Sequence, residues 1–544
     1  MKKSFFVFLL MFLLCVVSWG QTVNPVKNVI VMIPDGTSIS VVSSARYYKM
    51  YNKMGSNLNL DPYLCGTVWS FGSNTPIPDS APTMSCYMTG VPSQGGNVAI
   101  YPVVDPENDF VPLDPTMAYQ PLVTLMEAAR IIQGKSTGIV VTCEFTHATP
   151  ANCAAHHYSR GNYKVIAPQM AYNNLDVLIG GGTSLVSDNM KAHFKSNGTT
   201  LIQDDLTAFR NFSGDGKLWA LFNEMAMPYD LDRDPSITPS LEEKTLKALE
   251  LLSKNKNGFF LMVEGSKIDW AAHNNDAIGC ITEFLAFDKA VGAALEFARK
   301  NGETAVVIMP DHGTGGVTFG RSGCRASTLK QHFETISKYK KTASGMEIIL
   351  RTTPPEKVKE IFLKYTNLEI SDEELQSIVQ SRDYNKRDDS LPNNGQSLSS
   401  NIVRIMNSRA CLGFTSGGHT GEEVFLAVYH PDGHRPTGFV TNIQMNEYMY
   451  KALGLNTPLP ELSKKLYAKH TEVLAGRKYE INKNDNDFPI LTITKDKKNI
   501  LTVPAFSSVA YLNGKPVDLG SVTVYIDRND TFYIPADILK FLDK

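Results

Sequence analysis

Small and hydroxyl-bearing residues fill the stretch from Asp79-Ser80-Ala81 to Thr89-Gly90, in which an acid directly precedes a serine. A serine hydroxyl alone is a poor nucleophile, and it needs a base or a metal ion to form an alkoxide. The same stretch also has the pattern of a helix start, with Asp79 or Ser80 as the capping residue. Taken alone it favours the helix start, so the rest of the chain must indicate whether Ser80 is also a nucleophile.

Acids and histidines follow several apolar, strand-like runs of the sequence. Three such runs end in a carboxylate, and the residues concerned are Asp35, Glu264 and Asp311-His312. The carboxyl ends of parallel strands meet at one edge of an open α/β sheet, which is where such sheets bind their ligands. We therefore expect these side chains to lie together at that edge.

Two further positions add imidazole groups to these acids. Asp269 and His273 are four residues apart and share a face if their segment is helical, and His419 follows a pair of glycines. Carboxylates with imidazoles suit zinc, and carboxylates with hydroxyls and water suit magnesium. A single histidine near acids is usually a surface or core side chain, whereas several such clusters at strand ends indicate a metal site around Ser80.

Strand-like runs alternate with helical patterns over residues 26–309, and these elements must position the candidate residues. The alternation predicts an α/β fold with a doubly wound, mostly parallel central sheet and helices on both faces. Residues 21–480 are predicted to form this domain, with a helical cap inserted at residues 320–409. Short β-branched and aromatic runs predict a small β-rich C-terminal domain at residues 487–544, in which Asn513-Gly514 marks a hairpin.

Composition and the N-terminus bear on the class and location of the protein. The chain has 544 residues and a net charge of -2, so it lacks the basic excess expected for nucleic-acid binding. Residues 1–20 have the basic start, apolar run and small residues of a signal peptide, and no later stretch is long enough to span a membrane. We expect a periplasmic or secreted protein with no transmembrane segment in its mature chain. Cys15 leaves with the signal peptide, and the spacing of the remaining cysteines assigns no disulfide.

These motifs resemble those of the alkaline phosphatase family, the exported phosphomonoesterases that use two zinc ions and one magnesium ion. The family's nucleophile motif is Asp-Ser-Ala followed, after small and hydroxyl residues, by Thr-Gly, and the stretch from Asp79 to Gly90 matches it. The resemblance implies that Ser80 forms a phosphoserine intermediate and that Arg160 clamps the phosphate, with Asp79 as the partner of the arginine. It also leaves a homodimer open.

The resemblance further implies the metal ligands. For the first zinc they are Asp269, His273 and His419. For the second zinc they are Asp35, Asp311 and His312, together with the Ser80 alkoxide. For magnesium they are Asp35, Thr149 and Glu264. His147 and Trp270 stand where bacterial members have an acid and a lysine; they are expected to line the substrate site, to alter the surroundings of the third metal and to remove a cation near the phosphate.

The expected reaction is the hydrolysis of phosphate monoesters to an alcohol and inorganic phosphate. One alternative is a phosphodiesterase of the same superfamily, which usually has a threonine nucleophile and lacks the third metal site and the arginine. A sulfatase would need Cys or Ser followed by x-Pro-x-Arg, which neither Cys86 nor Ser80 offers. A third alternative, a non-catalytic phosphate- or glycan-binding surface protein, has support only from the β appendage.

Overall fold

The computed structural model describes residues 23–383, 397–483 and 488–543. The expected signal peptide, residues 1–20, lies outside these ranges, as does residue 487, where the C-terminal domain is predicted to begin. Among the helices in these ranges, none has both the length and the apolar character needed to cross a membrane.

Strands and helices alternate through most of the chain. In chain order the strands are β1 (Asn28–Ile33), β2 (Leu64–Trp69), β3 (Ser136–Glu144), β4 (Val177–Gly181), β5 (Thr199–Gln203), β6 (Lys217–Leu221), β7 (Phe259–Glu264), β8 (Thr304–Ile308), β9 (Gly313–Thr314), β10 (Thr318–Phe319), β11 (Leu412–Gly413), β12 (His419–Thr420), β13 (Val424–Tyr429), β14 (Gly438–Thr441), β15 (Ala468–Lys469), β16 (Lys478–Asn482), β17 (Ile490–Asp496), β18 (Asn499–Pro504), β19 (Val509–Leu512), β20 (Lys515–Asp518), β21 (Val524–Ile526) and β22 (Thr531–Ile534). The α-helices are Ile39–Tyr51, Ser80–Thr89, Leu125–Gln133, Ala148–Ala154, Tyr163–Tyr172, Asp188–Asn197, Leu206–Asn211, Leu241–Leu252, Lys267–His273, Ala277–Asn301, Leu329–Phe333, Ala343–Thr352, Val358–Thr366, Asp372–Gln380, Leu398–Ser408, Asn442–Leu453, Leu459–Leu466 and His470–Val473.

The central sheet of the described chain has the strand order β14-β2-β13-β8-β1-β7-β3-β4-β6-β5. β1 pairs in parallel with β7 and β8, whereas β13 runs antiparallel to β8 and β2. The prediction of a mostly parallel central sheet is therefore confirmed. The sequence did not predict β5, β6 or β14, which extend the sheet at its two sides.

Both faces of the central sheet are buried around β1, as a doubly wound fold requires. Along β1 the side chains alternate between two hydrophobic clusters: Val29 and Val31 pack in one, and Ile30 and Met32 pack in the other. All of these side chains are buried. The continuous apolar run of β1 thus reflects burial on two faces, and its carboxyl end delivers Asp35 to the edge of the sheet.

The segment predicted as a helical insertion leaves the core after β10 and returns to it at β11. β10 and β11 pair antiparallel, with Phe319 opposite Leu412. A disulfide joins Cys324 to Cys411 at the same place. The segment contains five of the α-helices given above and is closed at its base by a strand pair and a covalent bond.

Small antiparallel sheets follow the α/β core at the C-terminal end, which confirms the predicted β appendage. One has the order β16-β17-β18-β19-β20 and another has the order β15-β22-β21. The predicted hairpin is present, since β19 and β20 pair across Asn513 and Gly514, whose φ values are 51° and 80°. β16 begins at Lys478, before the composition changes at residue 487. The division of the chain into domains stays a prediction.

Candidate active site

Ser80 begins the helix Ser80–Thr89, and Asp79 occupies the capping position without making a capping hydrogen bond. The predicted helix start is thus present. The Ser80 hydroxyl is buried and lies 3.1 Å from Nε2 of His312 and 3.4 Å from Oδ1 of Asp35. Exposed N–H groups at a helix N-terminus favour an anion. The hydroxyl therefore lies between an N-terminal helix turn and a group of side chains that could hold a metal ion.

Asp35, Asp311 and His312 form one such group at the carboxyl edge of the sheet. Their potential ligand atoms all lie within 4.8 Å of one another. Oδ1 of Asp311 accepts hydrogen bonds from the backbone N–H groups of Gly36 and His312, at 3.1 and 3.0 Å. The other Asp311 oxygen and Oδ2 of Asp35 are buried and have no hydrogen-bond partner among the described residues. Two orphaned carboxylate oxygens facing an imidazole fit a bound cation.

Asp269, His273 and His419 form the second group, again with ligand atoms within 4.8 Å. Nε2 of His273 lies 3.3 Å from the Asp269 carboxylate and 3.2 Å from Nε2 of His419. Nδ1 of His273 lies 2.7 Å from the carbonyl oxygen of Gly417. Donation of one ring N–H to a backbone carbonyl is typical of metal-bound histidine, because it leaves the other nitrogen free to bind.

Thr149 and Glu264 lie in a third group, where each has a buried oxygen without a hydrogen-bond partner in the described part of the chain. A residue that the sequence reasoning missed as a ligand is also here: Sγ of Cys143 is 3.6 Å from the Glu264 carboxylate. Cys143, His147 and Glu264 have ligand atoms within 4.8 Å of one another. The third site therefore offers sulfur and nitrogen in addition to oxygen.

Arg160 is held at both ends of its guanidinium group. Nη1 donates to Asp79 at 2.9 Å, and Nη2 lies 3.0 Å from Nε2 of His147. The His147 ring in turn packs edge-on against Trp270, with ring centroids 5.8 Å apart. Lys267, one helical turn before Trp270, has its Nζ 4.9 Å from the centre of the Trp270 ring and donates to a backbone carbonyl. The structure thus brings His147 beside the arginine and Trp270 beside His147.

Crowded, buried carboxylates dominate the electrostatics of the site. Burial, followed by repulsion from Asp311, raises the pKa of Asp35 well above its usual range. Burial also raises the pKa of Glu264 to about 8 and that of Asp269 above its ordinary value. Burial acts to raise the pKa of Asp311 as well, but His312 and the surrounding hydrogen bonds keep it below its ordinary value. Without a cation Asp35, Glu264 and Asp269 therefore resist ionisation, which is the behaviour expected of a metal-binding cluster.

Two histidines of the site, His147 and His419, favour their neutral form. Burial lowers the pKa of His147 to about 3, with Arg160 as the next cause. Burial and the neighbouring His312 lower the pKa of His419 to about 3. A neutral imidazole has the free lone pair that a metal ion requires. A cavity of about 920 Å³ opens beside His273 and is lined mainly by polar residues, among them Arg404 and Asn407.

Comparison with known proteins identifies the family. A profile described as alkaline phosphatase matches residues 26–455. The chain belongs to the alkaline phosphatase family. Alkaline phosphatase 4 of Bacillus subtilis (strain 168) is 34% identical over 442 residues, which cover 79% of this chain and 89% of that protein. The human tissue-nonspecific isozyme is 29% identical over 339 residues, covering 53% of this chain and 63% of the isozyme.

A solved structure supports the same assignment. The cold-active alkaline phosphatase from the psychrophile Shewanella sp. superposes with a TM-score of 0.68 at 27% identity, covering 78% of this chain and 99% of that one. The resemblance read from the motifs is confirmed. The protein is a metal-dependent phosphatase that hydrolyses phosphate monoesters.

Proposed function

We propose that this phosphatase works through a phosphoserine formed on Ser80, with two zinc ions and one magnesium ion per chain. The observation that carries the proposal is the position of the Ser80 hydroxyl, 3.1 Å from His312 and 3.4 Å from Asp35 at a helix N-terminus. The other hydroxyls of that helix lack this combination of a metal-binding group and an open helix end.

The proposed metal ligands follow the three groups of side chains. The first zinc is assigned to Asp269, His273 and His419; the second to Asp35, Asp311 and His312; and the magnesium to Asp35, Thr149 and Glu264. The unpartnered buried oxygens of Asp35, Asp311, Thr149 and Glu264 support this assignment. When bound, such ions supply Lewis-acid stabilisation of the attacking and leaving oxygens of an in-line displacement.

The chain's own groups then have distinct tasks. Ser80 Oγ gives up its proton and forms a bond to phosphorus while the bond from phosphorus to the leaving oxygen breaks, and that oxygen takes up a proton and departs as the alcohol. Water next attacks the phosphoserine, which releases inorganic phosphate and returns the hydroxyl of Ser80. The backbone N–H groups at the start of the helix Ser80–Thr89 favour the extra negative charge near Oγ.

Arg160 is the proposed clamp for the phosphate. Its planar fork can bind two phosphate oxygens at once. Asp79 and His147 each contact one of its terminal nitrogens, which fixes the plane of the fork before substrate arrives. A monoester has three free oxygens, so two can bind the clamp while a third is left for the neighbouring groups, whereas a diester has only two. The turnover of a nitrophenyl monoester compared with that of the bis-ester tests the resulting preference for the monoester.

The matched variants Ser80→Ala and Ser85→Ala test the nucleophile. Both serines are buried in the same helix, but Ser85 lies one and a half turns away from its start. We expect Ser80→Ala to lose turnover of nitrophenyl phosphate by at least about 10³-fold while it keeps its zinc, because the hydroxyl forms the covalent intermediate. Ser85→Ala should retain turnover. Near-normal turnover in Ser80→Ala would sink the assignment.

The location of the protein and its assembly are further parts of the proposal. We propose that the chain is exported, to the periplasm or outside the cell, after removal of residues 1–20. The disulfide between Cys324 and Cys411 supports an oxidising compartment. The proposal also includes the homodimer that the family resemblance leaves open and the cap at residues 320–409 that the sequence pattern predicts.

A further inference from the structure

A separate group of metal-binding side chains lies in the loop that follows β13: His430, Asp432 and His434. β13 runs antiparallel to β8, so its last residue, Tyr429, lies at the edge of the sheet opposite the catalytic edge. A six-residue strand spans about 20 Å. The loop cluster is therefore well separated from the candidate catalytic metals, and the proposed reaction does not use it.

The loop brings the three side chains close together. Each offers one ligand atom, and these atoms lie within 4.8 Å of one another. The chain reverses at Gly433, which has a φ of 77° and donates its backbone N–H to the carbonyl of His430 at 2.9 Å. The tight turn leaves the imidazole centroids of His430 and His434 5.6 Å apart.

The ring of His430 is oriented for metal binding. Its Nε2 lies 3.0 Å from the carbonyl oxygen of Asn24, so Nε2 carries the proton and Nδ1 keeps its lone pair. Metal-bound histidines are usually held in this way by a backbone carbonyl. Nδ1 accepts a hydrogen bond from the backbone N–H of Asp432 at 3.2 Å, which is at the long end of the normal range.

The other two side chains are also held in place. Nδ1 of His434 is enclosed and has no hydrogen-bond partner among the described residues. The hydroxyl of Tyr448 donates to the His434 carbonyl at 2.8 Å, which fixes the backbone of the loop. The side-chain amide of Asn24 donates to the Asp432 carboxylate at 2.9 Å, so Asn24 orients both His430 and Asp432.

We propose that His430, Asp432 and His434 bind a divalent transition-metal ion, for which zinc is the best match, and that this ion ties the segment around Asn24 to the loop after β13. Two imidazoles and one carboxylate form a three-ligand set used by zinc in proteins, with a fourth position left for water. If hydrogen bonds alone held this turn, Nδ1 of His434 would stay enclosed without a partner, whereas a bound metal ion would give it one.

The zinc content of matched variants tests the proposal. The full-length protein, His434→Ala and His332→Ala are reloaded with zinc and magnesium, desalted and analysed by elemental mass spectrometry. His332, like His434, is a half-buried histidine, but it lies outside every group of metal ligands among the described residues. We expect the parent and His332→Ala to hold one zinc per chain more than His434→Ala.

A competition titration with a chromogenic chelator supplies a second measurement. Asp432→Ala should weaken the corresponding zinc equivalent by at least about tenfold, since a ligand is lost rather than a supporting contact. Asp432 is exposed, so this variant decides the question if His434→Ala fails to fold.

Equal zinc content and equal affinity in the parent and the folded variants would overturn the proposed loop site. The measured quantity is a difference between variants, so it does not depend on how many ions the catalytic residues hold. Phosphatase turnover should persist in all of these variants, and a Ser80→Ala background should give the same zinc difference. Failure of the proposed nucleophile and failure of the loop site are therefore distinguishable.

Discussion

Lys244 is a fully buried lysine whose charge makes stability depend on pH. It lies in the helix Leu241–Leu252, where its Nζ donates to the carbonyl of Val141 and lies 2.9 Å from the sulfur of Met227. Among the described residues no carboxylate lies within ion-pair distance of it. Burial therefore lowers the pKa of Lys244 to about 7. Lys244→Met replaces the ammonium by an apolar side chain of similar length.

The size of the effect follows from the two pKa values. The ordinary lysine pKa of 10.5 applies to the unfolded chain and about 7 to the folded one, so between these values the unfolded chain binds more protons. Stability therefore rises with pH in this window, by up to about 1.4 kcal/mol per pH unit. The burial penalty is fully present below pH 7 and disappears above pH 10.5. Integrated from pH 7 to pH 9, the gain is about 2.3 kcal/mol.

Thermal unfolding at pH 7 and pH 9 measures this gain. A chain with about 500 ordered residues has an unfolding entropy near 1 kcal/mol/K, so the contribution of Lys244 corresponds to about 2 °C in Tm. We expect Lys244→Met to lose this part of the pH dependence, while the control Lys256→Met, which changes an exposed lysine, keeps it. If the parent and Lys244→Met show the same change in Tm between pH 7 and pH 9, Lys244 is not a neutral amine in the folded protein.

Three other substitutions give independent tests. Cys324→Ser opens a loop of 87 residues, whose closure by the disulfide stabilises the fold by about 4.6 kcal/mol through the entropy of the unfolded chain. We expect a lower Tm and faster proteolysis of residues 320–409, and reduction of the disulfide in the parent should cause the same two changes. Arg160→Lys replaces a planar fork by a point charge, so inorganic phosphate should inhibit about tenfold more weakly at unchanged metal content, and equal inhibition would contradict the clamp role. Gly36→Ala would place a methyl group 2.5 Å from the Asp269 carboxylate, and we expect this variant to lose zinc, as measured by elemental analysis. The control Gly302→Ala changes a glycine with a similar φ and open space around it. Equal zinc content in both variants would refute the steric reasoning.

The central parallel sheet could be predicted because each of its main strands is marked by its own apolar run, and this pattern recurs along the chain. β1, β7 and β8 are continuous apolar runs, each followed by an acid, and parallel pairing brings those acids to one edge. That Asp35 and Asp311 lie at the same edge of the sheet thus follows from the strand ends alone. The pairing order of the strands was not predictable in this way, because it depends on contacts between distant segments.

Strands at the two sides of the sheet escaped prediction for a physical reason. β5 (Thr199–Gln203) is polar and partly exposed, and β14 (Gly438–Thr441) begins with two exposed residues. Such strands lack the continuous apolar run that marks a strand buried on both faces. They are held by pairing, β5 with the largely buried β6 and β14 with β2, and a single sequence does not display such contacts.

Cys143 was missed because it lies beyond the apolar run of β3. That run stops at Val141, but the strand continues to Glu144 and carries the thiol to the Glu264 carboxylate. A polar residue at the end of a strand can still be paired and buried. Likewise, the spacing of the cysteines gave no reason to join Cys324 to Cys411, because that contact exists only once β10 and β11 have paired.

A second strand pair explains how a long segment can separate two proposed metal ligands without displacing them. The proposed ligand His312 precedes residues 320–409 and the proposed ligand His419 follows them, yet β9 and β12 pair directly, with Thr314 opposite His419. Thr314 also donates to the Asp269 carboxylate at 2.7 Å. The position of His419 is therefore set by pairing at the base, and loop-closure entropy grows only slowly with the length of the segment above it. A change in the length or composition of residues 320–409 should therefore alter access to the cavity beside His273, while His312 and His419 keep their positions relative to each other.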